Sequence, residues 1–485
     1  MSSRPHYARS DTNQLSHWLV FFLACALLGL APVLRGGNRQ IALAGLLSLS
    51  AALLALLLGS LSFDRLFGGP PATGERRKAA RGGLGFALAL AFVGSSPVWL
   101  GLLQLTPLSA PSWSHLAGHG IYLDALAAAG GTAPQELALS LNPQATLTAL
   151  LSGVPAAATL FAALYLPRPL VEKCLLVLLA AGACQMLLAV LQFWMGSGSA
   201  LYFGVDSATG FVGSFANRNH LADFLVMLMP VWFFWFSQSV SGRGSHKGEA
   251  RFGGTGALWL FFGFALLVVT LATLSRGALL SAALVLTASM LLLGVKLKSR
   301  LGRKQRIALG VAAGLFALFA IIGVGAERVG QRLDTTTLEA DAQTRHNFTT
   351  ATLEGAQAFW PWGSGAGTYE SVFPRFQAAD SLYYVEYAHN DYAQLLMELG
   401  LPGVLLALVV AGLMAVQGVR LLRAYRAERR LSGELALRVW CGLGATALLL
   451  HSTVEFNMHI PALALTAAFL LGVYLRPLRP TRSKA

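Results

Sequence analysis

Apolar and polar positions along the chain segregate into long blocks. Twelve apolar runs stand out, at about 17–34, 41–62, 83–105, 146–166, 170–194, 219–236, 257–274, 277–295, 307–325, 394–418, 439–454 and 460–475. About twenty apolar residues cross a bilayer as a helix, and core helices of soluble proteins do not carry runs of this kind. The pattern predicts an all-α polytopic membrane protein of about twelve transmembrane helices, a single integral membrane domain over 1–485. The runs 257–274 and 277–295 almost touch, which makes that pair the candidate for re-entrant or broken helices.

Between the runs lie two long polar segments. Loop 106–145 is neutral and rich in Ser, Pro, Gly and Ala. Loop 326–393 is the most polar part of the chain. Within it, Phe348, Leu353, Ala356 and Phe359 recur near helical spacing, predicting a short amphipathic helix over 345–360 that ends before Pro361. The following PWGSGAG fails the G-x-G-x-x-G pattern and has no predicted strand before it, so it is not read as a nucleotide loop.

Composition sharpens the reading. Of 485 residues, 55% are hydrophobic and 12% charged, and the mean hydropathy is +0.59. A soluble domain carries about 25% charged residues. A soluble enzyme, a disordered scaffold and a secreted disulfide protein are excluded. Cys25, Cys174, Cys184 and Cys441 all sit within apolar runs and read as packing residues. Phe22 to Cys25 faintly suggests a lipoprotein cleavage box, but the run continues to Leu34, so the segment is read as an anchor.

The net charge of +14 would suggest nucleic acid in a soluble chain. Here the bias of Lys and Arg toward cytoplasmic loops accounts for it. With the N-terminus inside, the inner loops collect the basic residues, and of the 36 only Arg35, Arg39, Arg218, Arg276, Arg328, Arg332, Arg345 and Arg375 fall outside. Loop 106–145 holds none. Both termini are therefore expected on the cytoplasmic side, with 326–393 as a large loop carrying short helices on the other.

Basic residues on the outer side oppose that bias, and ionisable residues at span ends are unfavourable unless partnered. Arg218 opens the sixth run, and Arg276 lies between the seventh and eighth. His389 stands where the large loop re-enters, with Asn390 beside it and Glu398 further on. Asn217, Asn219 and His220 crowd Arg218, and Glu455 follows the eleventh run. Each alone has a plain structural reading: snorkelling to lipid phosphate for the arginines, hydrogen-bond partnership for the carboxylates. Together, several arginines and a histidine at one face suit a multiply anionic ligand, because the planar guanidinium meets two phosphate oxygens at once. A diphosphate presented from the outer leaflet is the expected ligand. No carboxylate cluster of metal-binding spacing accompanies them.

Five segments resemble the O-antigen ligase and polysaccharide polymerase superfamily: LSLNPQATLTALL (139–151), GSFANRNHLADFL (213–225), TLSRGALLS (273–281), AHNDYAQLLMELGLPGVLL (388–406) and HSTVEFNMHIPALAL (451–465). The His-Asn pair followed by Glu-x-Gly in 388–406 is the most specific. The resemblance covers 139–475 in the family's order; the first 105 residues share only apolarity.

This resemblance implies a C-type glycosyltransferase-like helical bundle in the bacterial inner membrane. It would move a glycan from a polyprenyl (undecaprenyl) diphosphate carrier to an acceptor hydroxyl at the periplasmic face. The acceptor would be lipid A core for a ligase, or a second lipid-linked glycan for a polymerase, and the shared motifs do not separate the two. No metal, cofactor or nucleic acid is implied. Arg218 and Arg276 match the family's diphosphate arginines, and His389 matches its catalytic histidine. His389 either accepts the acceptor's proton or holds the diphosphate while a carboxylate acts as base. Arg345, Arg375, Asn217, Asn219, Asn390, Glu398 and Glu455 are expected in supporting or substrate-binding places. Loop aromatics (Trp360, Trp362, Tyr369, Phe373, Tyr383, Tyr384, Tyr387) suit sugar stacking or an interfacial belt. A transporter of the lipid-linked glycan is the competing class, though the two halves show no self-similarity.

Overall fold

The computed structural model describes residues 7–67, 75–204, 210–215, 217–240, 254–297, 335–379 and 384–478. Predicted run 307–325, Arg328, Arg332 and Tyr383 lie outside the described residues. Eleven of the twelve runs become helices: α1 (Tyr7–Val33), α2 (Gln40–Phe67), α3 and α4 (Glu75–Gly94, Ser96–Gln104), and α7 and α8 (Pro143–Ser152, Val154–Tyr165). The rest are α9 (Arg168–Met195), α10 (Arg218–Val240), α11 (Gly254–Ala272), α12 (Arg276–Leu297), α15 (Asp391–Glu428), α16 (Gly433–His451) and α17 (Pro461–Leu475). Among the described residues, nine segments are long and apolar enough to cross a membrane, with α3–α4 as a tenth if counted as one bent span. The chain is an all-α polytopic membrane protein.

The seventh and eighth runs form two spans, as counted, and the bent pair lies elsewhere. Helices α11 and α12 are separate, each long enough to span, while α3 and α4 meet at 59° around Ser95, where Pro97 removes an amide from the helical ladder. A second bend interrupts α15 at Gly400, whose φ of +56° only glycine adopts without strain. α15 also runs well past its apolar run, because hydropathy marks the membrane-embedded length while a helix can continue into water.

α10 is the central helix, with 89% of its most apolar window buried. It packs on α9, α11, α12 and α16. Phe224, Phe234 and Phe236 from α10, Trp440 from α16 and Phe469 from α17 fill the core. In lipid, water does not drive helices together, so close backbone approach between small residues matters more. A Cβ on Gly444 would stand 2.7 Å from the Met227 carbonyl oxygen, and one on Gly472 2.7 Å from both Ala163 Cβ and the Leu160 carbonyl oxygen. Thr159 also donates to the Leu465 carbonyl (3.0 Å) across the α8–α17 seam. Leu280, Leu284 and Leu291 of α12 are more than half exposed, forming an apolar surface suited to acyl chains.

The loop residues form a separate layer. Segment 106–145 folds into two three-residue strands, β1 (Pro107–Ser109) and β2 (Glu136–Ala138), paired antiparallel, with α5 (Ala110–Ser114) and α6 (Gly120–Ala128) between them. The predicted 345–360 helix is longer than expected: α13 spans Thr335–Ala358 and stops before Pro361, followed by the short α14 (Tyr369–Val372). Ala356 and Phe359 are buried and Phe348 packs against them, but Leu353 is 46% exposed and does not share that face. Tyr369 and Phe373 stack on each other (4.7 Å) inside this layer, so they serve as core there.

Gly472→Ala forces a methyl into the α8–α17 contact, and overpacking of this kind costs about 1–3 kcal/mol. A fall of several degrees in thermal midpoint in detergent is expected; an unchanged midpoint would show that the seam is loose.

Candidate functional site

The turn joining α16 to α17 gathers the polar residues of the bundle. Glu455, at its centre, has a fully buried side chain. One carboxylate oxygen accepts from His389 Nδ1 at 2.7 Å. The other accepts from Asn219 Nδ2 at 2.5 Å and faces Arg345 Nη2 at 3.3 Å. Arg345 Nη1 also donates to the Val454 carbonyl oxygen. A carboxylate in this position is held by charge-assisted bonds from three chain segments remote in sequence. Burial acts to raise the Glu455 carboxyl, but the His389 hydrogen bond and the charges of His389, Arg345 and His220 outweigh it and hold it at about 2.

Each partner is aimed by its local structure. Asn217 Oδ1 accepts from the Asn219 amide (2.8 Å) at the start of α10, an N-terminal turn that sets Asn219 toward Glu455. Asn390 caps α15, its Oδ1 accepting from Tyr392 and Ala393 amides. His389 just before that cap has φ +51°, a left-handed conformation unfavourable by about 1–2 kcal/mol for a non-glycine residue. The conformation persists because the flanking contacts over-determine it. Phe456 presents its ring to the edges of His389 (5.0 Å) and His220 (4.9 Å) and stacks on Tyr387 (4.4 Å).

Asp391, not singled out from the sequence, locks the turn to α15. Its amide donates to the Ser452 carbonyl (2.9 Å), and its carboxylate accepts from the Met458 amide (2.9 Å) and pairs with His459 Nδ1 (2.8 Å). Buried Asp223 and His451 stand 3.3 Å apart beneath the turn. None of these four residues carries a positive charge placed against the insertion bias; Asp223 and His451, ionisable residues inside apolar runs, carried the available signal.

The two remaining arginines begin helices at this same end. Arg218 opens α10 directly before Asn219, and Arg276 opens α12 directly before Gly277. A Cβ on Gly277 would stand 2.8 Å from Val454 Cγ2, so the α12 start abuts the Glu455 turn. Arg218, Arg276, Arg345, His389, Asn217, Asn219, Asn390 and Glu455 thus lie on or next to one polar turn and the helix ends around it.

Arg375 and Glu398 are engaged elsewhere. Arg375 donates to the Gly118 carbonyl (3.1 Å) and lies over the Phe376 ring at 5.2 Å, joining the two loop segments. Glu398 is buried and accepts from the Gly367 and Tyr369 amides at 2.8 and 3.1 Å. The chain's own carboxylate therefore occupies the last amide of the PWGSGAG turn and one two residues beyond it, amides that an external anion would need. Tyr384 is largely exposed, and Trp360 and Trp362 are partly so.

Residues 261–408 match the family model described as O-Antigen ligase. The match covers less than a third of the chain and likens that segment to the O-antigen ligase family. The O-antigen ligase match contains Arg276, Arg345, Arg375, His389, Asn390 and Glu398, and ends before Glu455; Arg218 and Asn219 precede it. No curated protein matches the chain significantly. A histidine whose Nδ1 is held by a buried carboxylate retains Nε2 for proton transfer, with the carboxylate stabilising the imidazolium that results.

Because the folded Glu455 carboxyl lies below its ordinary value of 4.5, its stabilisation is present above pH ~4.5 and is lost as pH falls toward 2, about 3 kcal/mol in all. Glu455→Gln removes that titration. Thermal midpoints measured from pH 6 to 3 should converge between wild type and variant; parallel curves would mean that the carboxylate is not specifically stabilised.

Proposed function

We propose that the protein is a glycosyltransferase that moves a glycan from an undecaprenyl diphosphate carrier to an acceptor hydroxyl, with lipid A core as acceptor. The observation that carries this reading is the convergence of His389, Arg345 and Asn219 on buried Glu455, beside the helix starts that bear Arg218 and Arg276. A cation-rich end of a membrane bundle fits a lipid-borne diphosphate, and a His–Glu pair fits activation of a hydroxyl. The placement of Lys and Arg along the chain supports cytoplasmic termini with this site on the opposite face, and the likeness of 261–408 to O-antigen ligase supports the bacterial inner membrane, with that face periplasmic.

His389 Nε2 takes the proton of the acceptor hydroxyl while its oxygen attacks the anomeric carbon. The bond from that carbon to the diphosphate oxygen breaks, and the carrier leaves as the anion. Glu455 keeps Nδ1 protonated and faces the imidazolium as it forms. Arg218 and Arg276 hold the diphosphate and offset the charge developing on it, which is the larger contribution to such departures; the base adds about 10²–10⁴-fold. Arg345 ties α13 to the turn. A single displacement inverts the anomeric configuration. Arginine charge does the work here that a divalent cation does elsewhere, so transfer should proceed undiminished in EDTA, and strong inhibition would overturn that part.

In a host lacking the gene, rescue by wild type should restore full-length surface glycan. His389→Gln should abolish rescue, and Arg276→Lys, which keeps charge but loses the fork, should weaken it markedly. Glycan accumulating on the carrier with bare lipid A core identifies a ligase. A single repeat unit on core, or loss of free exopolysaccharide with core glycan intact, identifies a polymerase instead. Normal turnover in His389→Gln would remove the histidine from the mechanism.

A further inference from the structure

Beneath the Glu455 turn, an acid and a histidine are sealed in the bundle without serving the reacting groups directly. Asp223, on α10, is 0% exposed and His451, the last residue of α16, 1%. His451 Nδ1 lies 3.3 Å from Asp223 Oδ1. The opposite edge of the imidazole carries the contact that gives the pair its interest. A Cβ on Gly277 would stand 2.6 Å from His451 Cδ2 and 2.7 Å from Nε2. Those separations leave room only for a glycine, so the first turn of α12 rests its backbone on the ring edge.

The imidazole therefore lies between two helices that each begin with an arginine of the site. One edge faces Asp223 on α10, the helix opened by Arg218; the other supports Gly277, next to Arg276 at the start of α12. A fully buried ionisable pair is costly in a membrane bundle, and apolar side chains of similar shape would pack there at less cost. Its oriented, flat edge supplies what an aliphatic side chain does not, a rigid spacer of defined rotation.

We propose that Asp223 and His451 are positioning residues that set the separation of Arg218 and Arg276, with Gly277 as the contact surface, and thereby tune the site to a diphosphate. This rests on the reading of the two arginines as diphosphate ligands. A clamp of fixed spacing grips two linked phosphoryl groups, whereas a monophosphate meets only part of it. Disturbing the spacer lowers diphosphate affinity and leaves monophosphate affinity nearly unchanged.

The test uses the full-length protein in detergent, with farnesyl diphosphate and farnesyl monophosphate as probes. Dissociation constants are measured for wild type, Arg276→Ala, Gly277→Ala and the double variant. Arg276→Ala and Gly277→Ala should each weaken farnesyl diphosphate binding about tenfold or more, and the double variant should bind no more weakly than Arg276→Ala alone. The preference for diphosphate over monophosphate should fall in Gly277→Ala. Asp223→Asn, which keeps the side-chain shape, gives a second cycle with Arg276→Ala should Gly277→Ala fail to fold, and the same non-additivity is expected. Multiplying effects, or an unchanged preference, would overturn the spacer role while leaving the arginines as ligands. No loss of diphosphate affinity in Arg276→Ala would instead overturn the diphosphate reading, and the inference with it.

Discussion

A single buried carboxylate organises the polar end of this bundle. Glu455 has no water to solvate it, and an unpaired charge in that position would be unfavourable by several kcal/mol. It is stable only because His389, Asn219 and Arg345 reach it from α10, α13 and the loop before α15. The requirement runs both ways. Each of those groups is drawn to one point, so three stretches that lie 66 to 236 residues from Glu455 in sequence are fixed relative to one another by the need to satisfy one anion. Asp391 repeats the device on the other flank, tying the same turn to the start of α15 through Met458 and His459.

The rest of the molecule makes that convergence possible. Gly444 and Gly472 bring α10, α16, α17 and α8 close enough for backbones to touch, and the turn between α16 and α17 then stands over the first residues of α10 and α12. The loop layer closes one side. Glu398 and the PWGSGAG turn satisfy each other, and Arg375 pins the two loop segments together. Polar groups that looked equivalent along the chain divide into two functions: one set is spent on holding the layer, the other surrounds a site with cationic excess. Arg345 belongs to the second set through Glu455 and Val454, and Arg218 and Arg276 begin the helices beside it.

Hydropathy carried the architecture because the bilayer imposes a length on every crossing segment, and length is readable without partners. Eleven of the twelve apolar runs are helices for that reason. The same reasoning singled out Arg218 and Arg276, since a positive charge placed against the insertion bias is visible in one dimension, and His389 and Glu455 as ionisable residues beside apolar runs. It overlooked Asp223, His451, Asp391 and His459. Asp223 and His451 lie within apolar runs, Asp391 stands two residues after His389 and His459 just before the last run, and nothing in their spacing distinguishes a structural from a functional residue. It also misjudged the extents of α13 and α15, because helix ends depend on what the last turns touch rather than on hydropathy.

The sequence by itself determined that this chain crosses a membrane many times, which ends of its helices share a face, and which ionisable residues crowd that face, because the bilayer acts on each segment separately. Only the tertiary structure decided which of those residues meet. Whether Glu398 or Glu455 faces His389, and whether Arg345 or Arg375 joins the site, depends on distances between segments remote in sequence. Those distances come from helix contacts as close as 2.7 Å, where the lack of a single Cβ sets the approach, and no property of one segment encodes them.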